Sequence, residues 1–157
     1  MRFLITLGVA GAIALLSGCS TTQSVAAGPQ AKAVPMTTAC LTVHGGNSKD
    51  MDAALQRSLE AHGVSVQTTP ACDKGTAGID MTVTYDDKWW WDVVMYLRAV
   101  DIRFYSAPTG GLIASGFWKN SPLHSFPNAD GVVSNLVNDM FAQAGAPGVL
   151  RTSKASQ

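Results

Sequence analysis

Residues 85–92 read Tyr-Asp-Asp-Lys-Trp-Trp-Trp-Asp and contain three of the four tryptophans of the chain. Before this stretch, apolar and polar residues alternate from Ile79 to Tyr85, which is the pattern of a strand with one buried face. After it, the run from Val93 to Ser106 predicts a second and longer strand. The stretch therefore lies between two predicted strands, and the other predicted elements are arranged around this pair.

The rest of the chain predicts a small two-layer domain. Residues 40–44 and 64–68 have strand patterns, and the helix between them has an apolar residue at every fourth position, so we expect two parallel strands joined by a helix. Residues 112–119 are the return strand of a hairpin, and residues 132–141 form an amphipathic helix. The sequence thus predicts an α+β fold: a two-layer sandwich with two helices packed on one face of a mixed sheet of four to five strands.

The N-terminal segment has the features of an export signal. An apolar run over residues 3–16 follows Arg2 and is shorter than the ~20 residues of a transmembrane helix. It ends in Leu16-Ser-Gly-Cys19, which resembles the lipobox of bacterial lipoproteins at all four positions. The resemblance implies removal of the signal peptide, residues 1–18, and attachment of diacylglycerol and a further acyl chain such as palmitate to Cys19. The alternatives are an uncleaved anchor and an ordinary signal peptide with an unrelated cysteine.

Composition predicts the domain boundaries. Residues 19–38 are rich in Ser, Thr, Ala and Pro and show no apolar period, which predicts a flexible tether. Residues 39–145 are predicted to form a single domain, and residues 146–157 a loose C-terminal tail. Ser20, rather than Asp, follows the cysteine and resembles the sorting pattern of outer-membrane lipoproteins. We therefore expect a lipid-anchored outer-membrane protein whose domain faces the periplasm or the cell surface.

Cys40 and Cys72 remain as a pair once Cys19 is assigned to the lipid. An even number of cysteines in an oxidising compartment favours a disulfide bond, which closes a loop of about 33 residues. Cys40 begins one predicted parallel strand and Cys72 lies past the far end of the next, so the loop after Thr68 must fold back to join them. The alternative is a pair of buried thiols.

The consecutive tryptophans admit three interpretations. On an extended chain Trp89 and Trp91 point to one side and Trp90 to the other, so at least one of Trp89 and Trp91 is expected to pack in the core. In the second interpretation the rings stack on sugars while neighbouring aspartates bind hydroxyl groups. In the third, the rings lie at a lipid boundary, which tryptophan prefers. The candidate partner or ligand contacts are Trp89, Trp90, Trp91, Asp86, Asp87 and Asp92.

Burial around this stretch can also be predicted. Residues 93–97 are apolar on both faces of the predicted strand, so both sides of the sheet are expected to be covered there. Asp86 and Asp87 are expected to remain in solvent, because charged groups near a strand end are usually hydrated.

A set of spaced motifs resembles a family of small proteobacterial lipoproteins of unknown function. The motifs are Tyr85, the run Trp89-Trp-Trp-Asp92, the run Met95-Tyr-Leu97, and the cysteines at positions 40 and 72. The resemblance spans most of residues 40–141 and implies a Trp-x-Trp-Asp strand motif, the same two cysteines and a closing amphipathic helix. Tyr96-Leu97 departs from the Tyr-Met of that family. The order of elements is also similar to the lipoprotein that plugs the lipopolysaccharide translocon, which is an analogy of fold alone.

Charge and motifs argue against several classes of function. The 11 basic and 11 acidic residues balance, which gives no support for nucleic-acid binding or a polybasic membrane patch. His44, His62 and His124 lack metal-ligand spacing, and the sequence contains no nucleophile elbow, zincin motif or phosphate-binding loop. We therefore expect no enzyme, cofactor or metal site. The predicted function is a non-catalytic lipoprotein that scaffolds or binds an envelope protein or glycan; the alternative is a periplasmic glycan- or lipid-binding module that uses residues 89–91.

Overall fold

The computed structural model describes residues 21–73, 75–121 and 126–145. The predicted signal peptide, Cys19, His124 and the predicted C-terminal tail lie outside the described residues. The strands within them are β1 (Thr22–Ala27), β2 (Thr38–Thr42), β3 (Ser65–Thr69), β4 (Met81–Trp91), β5 (Met95–Ser106) and β6 (Leu112–Lys119). The helices are α1 (Lys49–Ala61), which a short 3₁₀ turn at Gly46–Ser48 precedes, and α2 (Ala129–Ala144).

The strands of the described chain form one mixed sheet in the order β1-β6-β5-β4-β2-β3. β2 is parallel to both β3 and β4, and the other neighbouring strands are antiparallel. The predicted α+β class, with two helices and a mixed sheet, is confirmed. The predicted number of four to five strands is wrong, because the sheet has six strands in the described residues.

The additional strand is β1, which lies within residues 19–38, where a flexible tether was expected. It pairs antiparallel with β6, from Thr22 opposite Lys119 to Ala27 opposite Ala114. β1 is an edge strand that gains its order from backbone hydrogen bonds, so its sequence needs no apolar alternation. Val25 is its one apolar side chain packed against the core. The tether prediction is therefore wrong for Thr22–Ala27.

Both helices contribute to a single hydrophobic core on one face of the sheet. α2 begins where the Asn128 side chain accepts a hydrogen bond from the N–H of Asp130, and it ends at Gly145, whose φ of 69° is left-handed. The fully buried core side chains include Leu41, Leu55, Leu59, Val83, Ile102, Phe104, Leu136 and Met140. The face opposite the helices is called the outer face below.

Gly116 sets how closely α2 approaches the sheet. A Cβ atom added at this position would lie 2.7 Å from the Met140 sulfur and 2.8 Å from a Leu136 side-chain carbon. The small residue on β6 is therefore required because α2 packs directly over it.

A bulge in β5 changes which side chains face the core. Lys88 pairs with Ala99, but the next residue of β4, Trp89, pairs with Leu97, so Arg98 has no partner across the ladder. The extra residue reverses the alternation of β5 at this point. As a result Leu97 and Val100 both contribute to the core, although strict alternation placed them on opposite faces.

The disulfide bond between Cys40 and Cys72 is confirmed, with Cα atoms 5.9 Å apart. Cys40 lies on the outer face of β2, between Ala39 and Leu41, which point into the core. The loop after β3 folds back so that Cys72 reaches it, as the sequence required. A second, smaller cluster forms around the bond from Ile79 and Ala107. Closing this loop stabilises the fold by about 3–4 kcal/mol in the chain-entropy description.

Leu136→Ala tests the packing of α2 on the sheet. Leu136 is fully buried in the core, so its truncation is expected to lower the free energy of unfolding by ~2–5 kcal/mol. Urea unfolding followed by circular dichroism measures this. The neighbouring Asn135→Ala is the matched control, because Asn135 is exposed on the same helix and its loss is expected to cost less than ~0.5 kcal/mol. Equal effects of the two substitutions would show that α2 is not docked on the sheet.

Candidate contact surface at the hairpin tip

The hairpin formed by β4 and β5 extends beyond the strands beside it. Its ladder runs from Met81 opposite Ser106 to Trp91 opposite Met95. β2 pairs with β4 only as far as Val83, and β6 ends opposite Ala99. In the described residues the two strands of the outer part of the hairpin, from Trp89 to Leu97, therefore pair only with each other. No strand among the described residues pairs along the sides of this part.

The residues from Trp90 to Met95, called the hairpin tip, expose most of their apolar side chains. The exposed fractions are 61% for Trp90, 67% for Trp91, 78% for Val93, 47% for Val94 and 48% for Met95. The chain reverses direction at the tip, where the N–H of Asp92 donates a hydrogen bond to the Val94 carbonyl, 3.3 Å away. The prediction that both sides of the sheet are covered at residues 93–97 is wrong for the first three of these residues, whose side chains are exposed at the end of the hairpin that β2 and β6 do not reach.

Trp89 lies at the base of the tip and differs from its two neighbours. It is half-buried and packs against the core, which agrees with the expectation that one of Trp89 and Trp91 behaves as core. Its indole Nε1–H donates to Asp87 Oδ2 at 2.5 Å, and Asp87 Oδ1 accepts a hydrogen bond of 3.0 Å from the Ser48 hydroxyl. Asp87 therefore joins β4 to the start of α1. The expectation that Asp87 remains in solvent is wrong, since it is half-buried and bonded on both oxygens.

Tyr85 and Asp52 form a second connection between β4 and α1. The Tyr85 hydroxyl donates to Asp52 Oδ1, and the backbone N–H groups of His44 and Gly45 donate to the two oxygens of Asp52 at 3.1 and 2.9 Å. The His44 ring stacks on Tyr85 with centroids 4.2 Å apart. Burial raises the pKa of the Tyr85 hydroxyl far above its ordinary value, and the bond to Asp52 raises it further. Tyr85 is thus a neutral donor at physiological pH, and the cluster acts as an internal hydrogen-bond network.

Asp86 lies apart from both connections, on the outer face of the sheet. Its side chain is exposed and lies 3.7 Å from the Arg103 guanidinium, which is held more closely by Asp101 at 2.6 Å. The six candidate contact residues therefore do not form one site. Trp90, Trp91 and Asp92 belong to the tip. Trp89 and Asp87 hold the base of the hairpin, and Asp86 lies on the outer face.

Sequence reasoning missed the aliphatic part of the tip and one further aromatic residue. Val93, Val94 and Met95 follow Asp92 directly. The signal that identifies them is an unbroken apolar run after a turn residue, without the alternation of polar and apolar residues seen in a half-buried strand. Phe126 is 56% exposed and packs edge-on against Tyr96 with centroids 5.5 Å apart. Tyr96 is directly opposite Trp90 in the ladder, so Phe126 extends the apolar surface along the outer face.

A shallow cleft lies on the outer face, toward the end of the sheet away from the tip. Its volume is ≈ 270 Å³, and its walls are mostly threonine, small residues and Tyr105. Within the described ranges no three potential metal-ligating side chains cluster. No helix there is long and apolar enough to cross a membrane.

Comparison with known proteins identifies a shared fold. No protein-family model matches the chain, and no curated protein matches it either. Two solved structures of the PelC dodecamer from Paraburkholderia phytofirmans are similar to it. One is 13% identical, with a TM-score of 0.54, and the alignment covers 79% of this chain and 97% of the PelC chain. The other, a variant with a methionine substitution, is 12% identical with a TM-score of 0.55 over 82% and 99%. At this identity the likeness shows the fold alone.

Alanine substitutions separate the supporting tryptophan from the exposed ones. Burying a whole Trp contributes ~3–5 kcal/mol, so Trp89→Ala, at a half-buried position, is expected to cost about 2 kcal/mol of unfolding free energy. Trp91→Ala is the matched control, because it removes the same side chain from the same face of β4, and it is expected to cost less than about 0.5 kcal/mol. Thermal melts of both variants measure the difference. Equal melting temperatures would contradict the division between base and tip.

Proposed function

We propose that this protein is a non-catalytic lipoprotein, anchored by lipid at Cys19 in the outer membrane, whose hairpin tip contacts an envelope partner from the periplasmic or surface side. The observation that carries the proposal is the contiguous exposed apolar surface of the tip, from Trp90 to Met95. Large exposed apolar patches on small domains mark interaction sites, because water penalises them unless a partner covers them. The tip contributes little to the core, so its apolar character supports a role in contact.

The compartment is supported by two features of the chain. The run Leu16-Ser-Gly-Cys19 has the order of a lipobox. The disulfide bond between Cys40 and Cys72 suits an oxidising location outside the cytoplasm, where such bonds persist. An acyl anchor would hold the domain at the membrane, with ~0.8 kcal/mol gained for each CH₂ group buried in lipid.

A non-catalytic role is supported by how the titratable groups near the hairpin are used. Both oxygens of Asp52 accept backbone hydrogen bonds, and both oxygens of Asp87 accept hydrogen bonds from side chains. Tyr85 donates to Asp52 and is held neutral. Groups that already have internal partners hold the hairpin in place and are poorly suited to exchange protons with a substrate.

The alternative was a periplasmic glycan- or lipid-binding module that uses residues 89–91, and the geometry argues against its glycan-binding form. Trp90 and Trp91 point to opposite faces of β4, so the two rings do not form one platform for a sugar chain. Both oxygens of Asp87 already accept internal hydrogen bonds, from Ser48 and Trp89, so Asp87 is poorly suited to bind the hydroxyl groups of a sugar. A second copy of this chain is one envelope partner in keeping with the proposal, since both structural neighbours are dodecamers. Light scattering of the detergent-solubilised protein would report on that partner.

Cys19→Ala tests the anchor. The wild-type protein is expected to carry the mass of the acyl groups and to sediment with the membranes, whereas the variant lacks the mass and leaves the membrane fraction. Ser20→Ala is the matched control, because it changes the next residue without removing the acceptor thiol. Intact-mass spectrometry and membrane fractionation measure both effects. An unmodified wild-type Cys19, or an unchanged distribution of Cys19→Ala, would contradict the proposal.

A further inference from the structure

We propose that the partner of the hairpin tip is the membrane itself: the tip inserts into the interfacial layer of the bilayer that holds Cys19, and so fixes the orientation of the domain. This inference rests on the proposed lipid anchor. It adds two statements to that proposal: the ligand of the tip is a lipid surface, and the hairpin end of the sheet faces that surface.

The register of the sheet places the tip and the start of β1 at the same end. Lys88 of β4 lies opposite Ala99, Ala99 lies opposite Lys119, and Lys119 lies opposite Thr22. These four residues form one row across β4, β5, β6 and β1. From this row β4 continues for three more residues to Trp91, and Thr22, the first residue of β1, lies at this same end of the sheet.

Simple distances keep the proposed anchor within reach of the tip. Cys19 precedes Thr22 by three residues, so covalent geometry keeps its Cα atom within ~11 Å of Thr22 in any conformation. Trp91 extends about 10 Å beyond the row, at ~3.3 Å for each strand residue. The three strand spacings between β4 and β1 amount to about 14 Å across the sheet. A bilayer that holds acyl chains on Cys19 therefore lies within reach of the tip.

The shape of the tip suits lipid better than the flat surface of another protein. Trp90 and Trp91 lie on opposite faces of the ribbon, and both are exposed. A flat protein partner covers one face of such a ribbon, whereas lipid surrounds both. Val93 and Met95 add exposed aliphatic surface to the tip. Tryptophan with aliphatic neighbours is the composition of segments that lie in the membrane interface.

The charged residues around the tip limit its depth. Asp92 is exposed at the turn, and a carboxylate is costly in the hydrocarbon but remains hydrated at the level of the headgroups. Lys88 and Lys119 lie in the row below the tip, about 10 Å from its end. The tip therefore reaches the interface and the row of lysines remains in water. Such shallow insertion orients a domain that the acyl chains already hold.

The other end of the sheet has the opposite character. The turn between β5 and β6 contains Pro108, Thr109 and Gly110, all exposed, and it lies about 23 Å from the row on the far side. Thr109 accepts a hydrogen bond of 3.2 Å from the N–H of Gly111, which an aspartate oxygen can also accept. Thr109 is thus a matched control position for the tip.

The test uses the full lipidated protein in phosphatidylcholine vesicles whose acyl chains are brominated, because bromine quenches only tryptophans that reach the lipid. About half of the tryptophan emission is expected to be lost relative to plain phosphatidylcholine, since two of the four tryptophans lie at the tip and the others are more buried. Val93→Asp is expected to reduce this quenching severalfold. Thr109→Asp, the same added charge at the other end, is expected to leave it unchanged.

Three results distinguish a failure of this inference from a failure of the proposed lipid anchor. Both variants are expected to keep acylated Cys19 and to remain in the membrane fraction, because the acyl chains hold them there. If the wild-type protein carries its acyl groups but shows no quenching, the inference is overturned and the anchor stands; this readout depends on no variant. A photo-crosslinker at Val93 that yields one discrete protein adduct in whole envelopes, with no lipid adduct, would also overturn it.

Discussion

The antiparallel ladder between β4 and β5 is the interaction on which the rest of the structure depends. It runs from Met81 opposite Ser106 to Trp91 opposite Met95. β2 and β3 attach to the sheet through β4, and β6 and β1 attach through β5. One ladder therefore joins the parallel half of the sheet to the antiparallel half. Its core face carries Val83, Ile102 and Phe104, which belong to the same hydrophobic core as the buried residues of both helices. The backbone hydrogen bonds of the ladder therefore also position the sheet side of the core.

The ladder is longer than the layers around it, and this difference in length produces the candidate contact surface. Its base is fixed to α1 by hydrogen bonds from Ser48 to Asp87 and from Tyr85 to Asp52. A hydrogen bond from Trp89 also holds Asp87 within β4. Above the base, no strand or helix of the described chain continues beside the hairpin. Polar hydrogen bonds hold the base of the hairpin, and exposed apolar side chains form its end.

The sequence predicts the local elements well and their surroundings poorly. Apolar period, capping residues and turn residues are local properties, so the helices, the hairpin and the parallel unit could all be predicted, and the even cysteine pair led to the disulfide. The edge strand β1 carries no apolar pattern, because backbone bonds to β6 hold it. The exposure of Val93 depends on where β2 and β6 end, which residues 93–97 do not encode. The bulge at Arg98 likewise depends on the pairing between strands.

Spin-label depth measurements test most directly the claim that the hairpin end of the sheet faces the membrane. Cys40 and Cys72 form the disulfide bond and the proposal gives Cys19 to the acyl chains, so Val93→Cys and Thr109→Cys each supply a specific site for a nitroxide. In the lipidated protein on vesicles, the label at position 93 is expected to collide more with oxygen, which concentrates in lipid, than with a water-soluble nickel complex. The label at position 109 is expected to show the reverse. Equal, water-like accessibility at both positions would contradict the account.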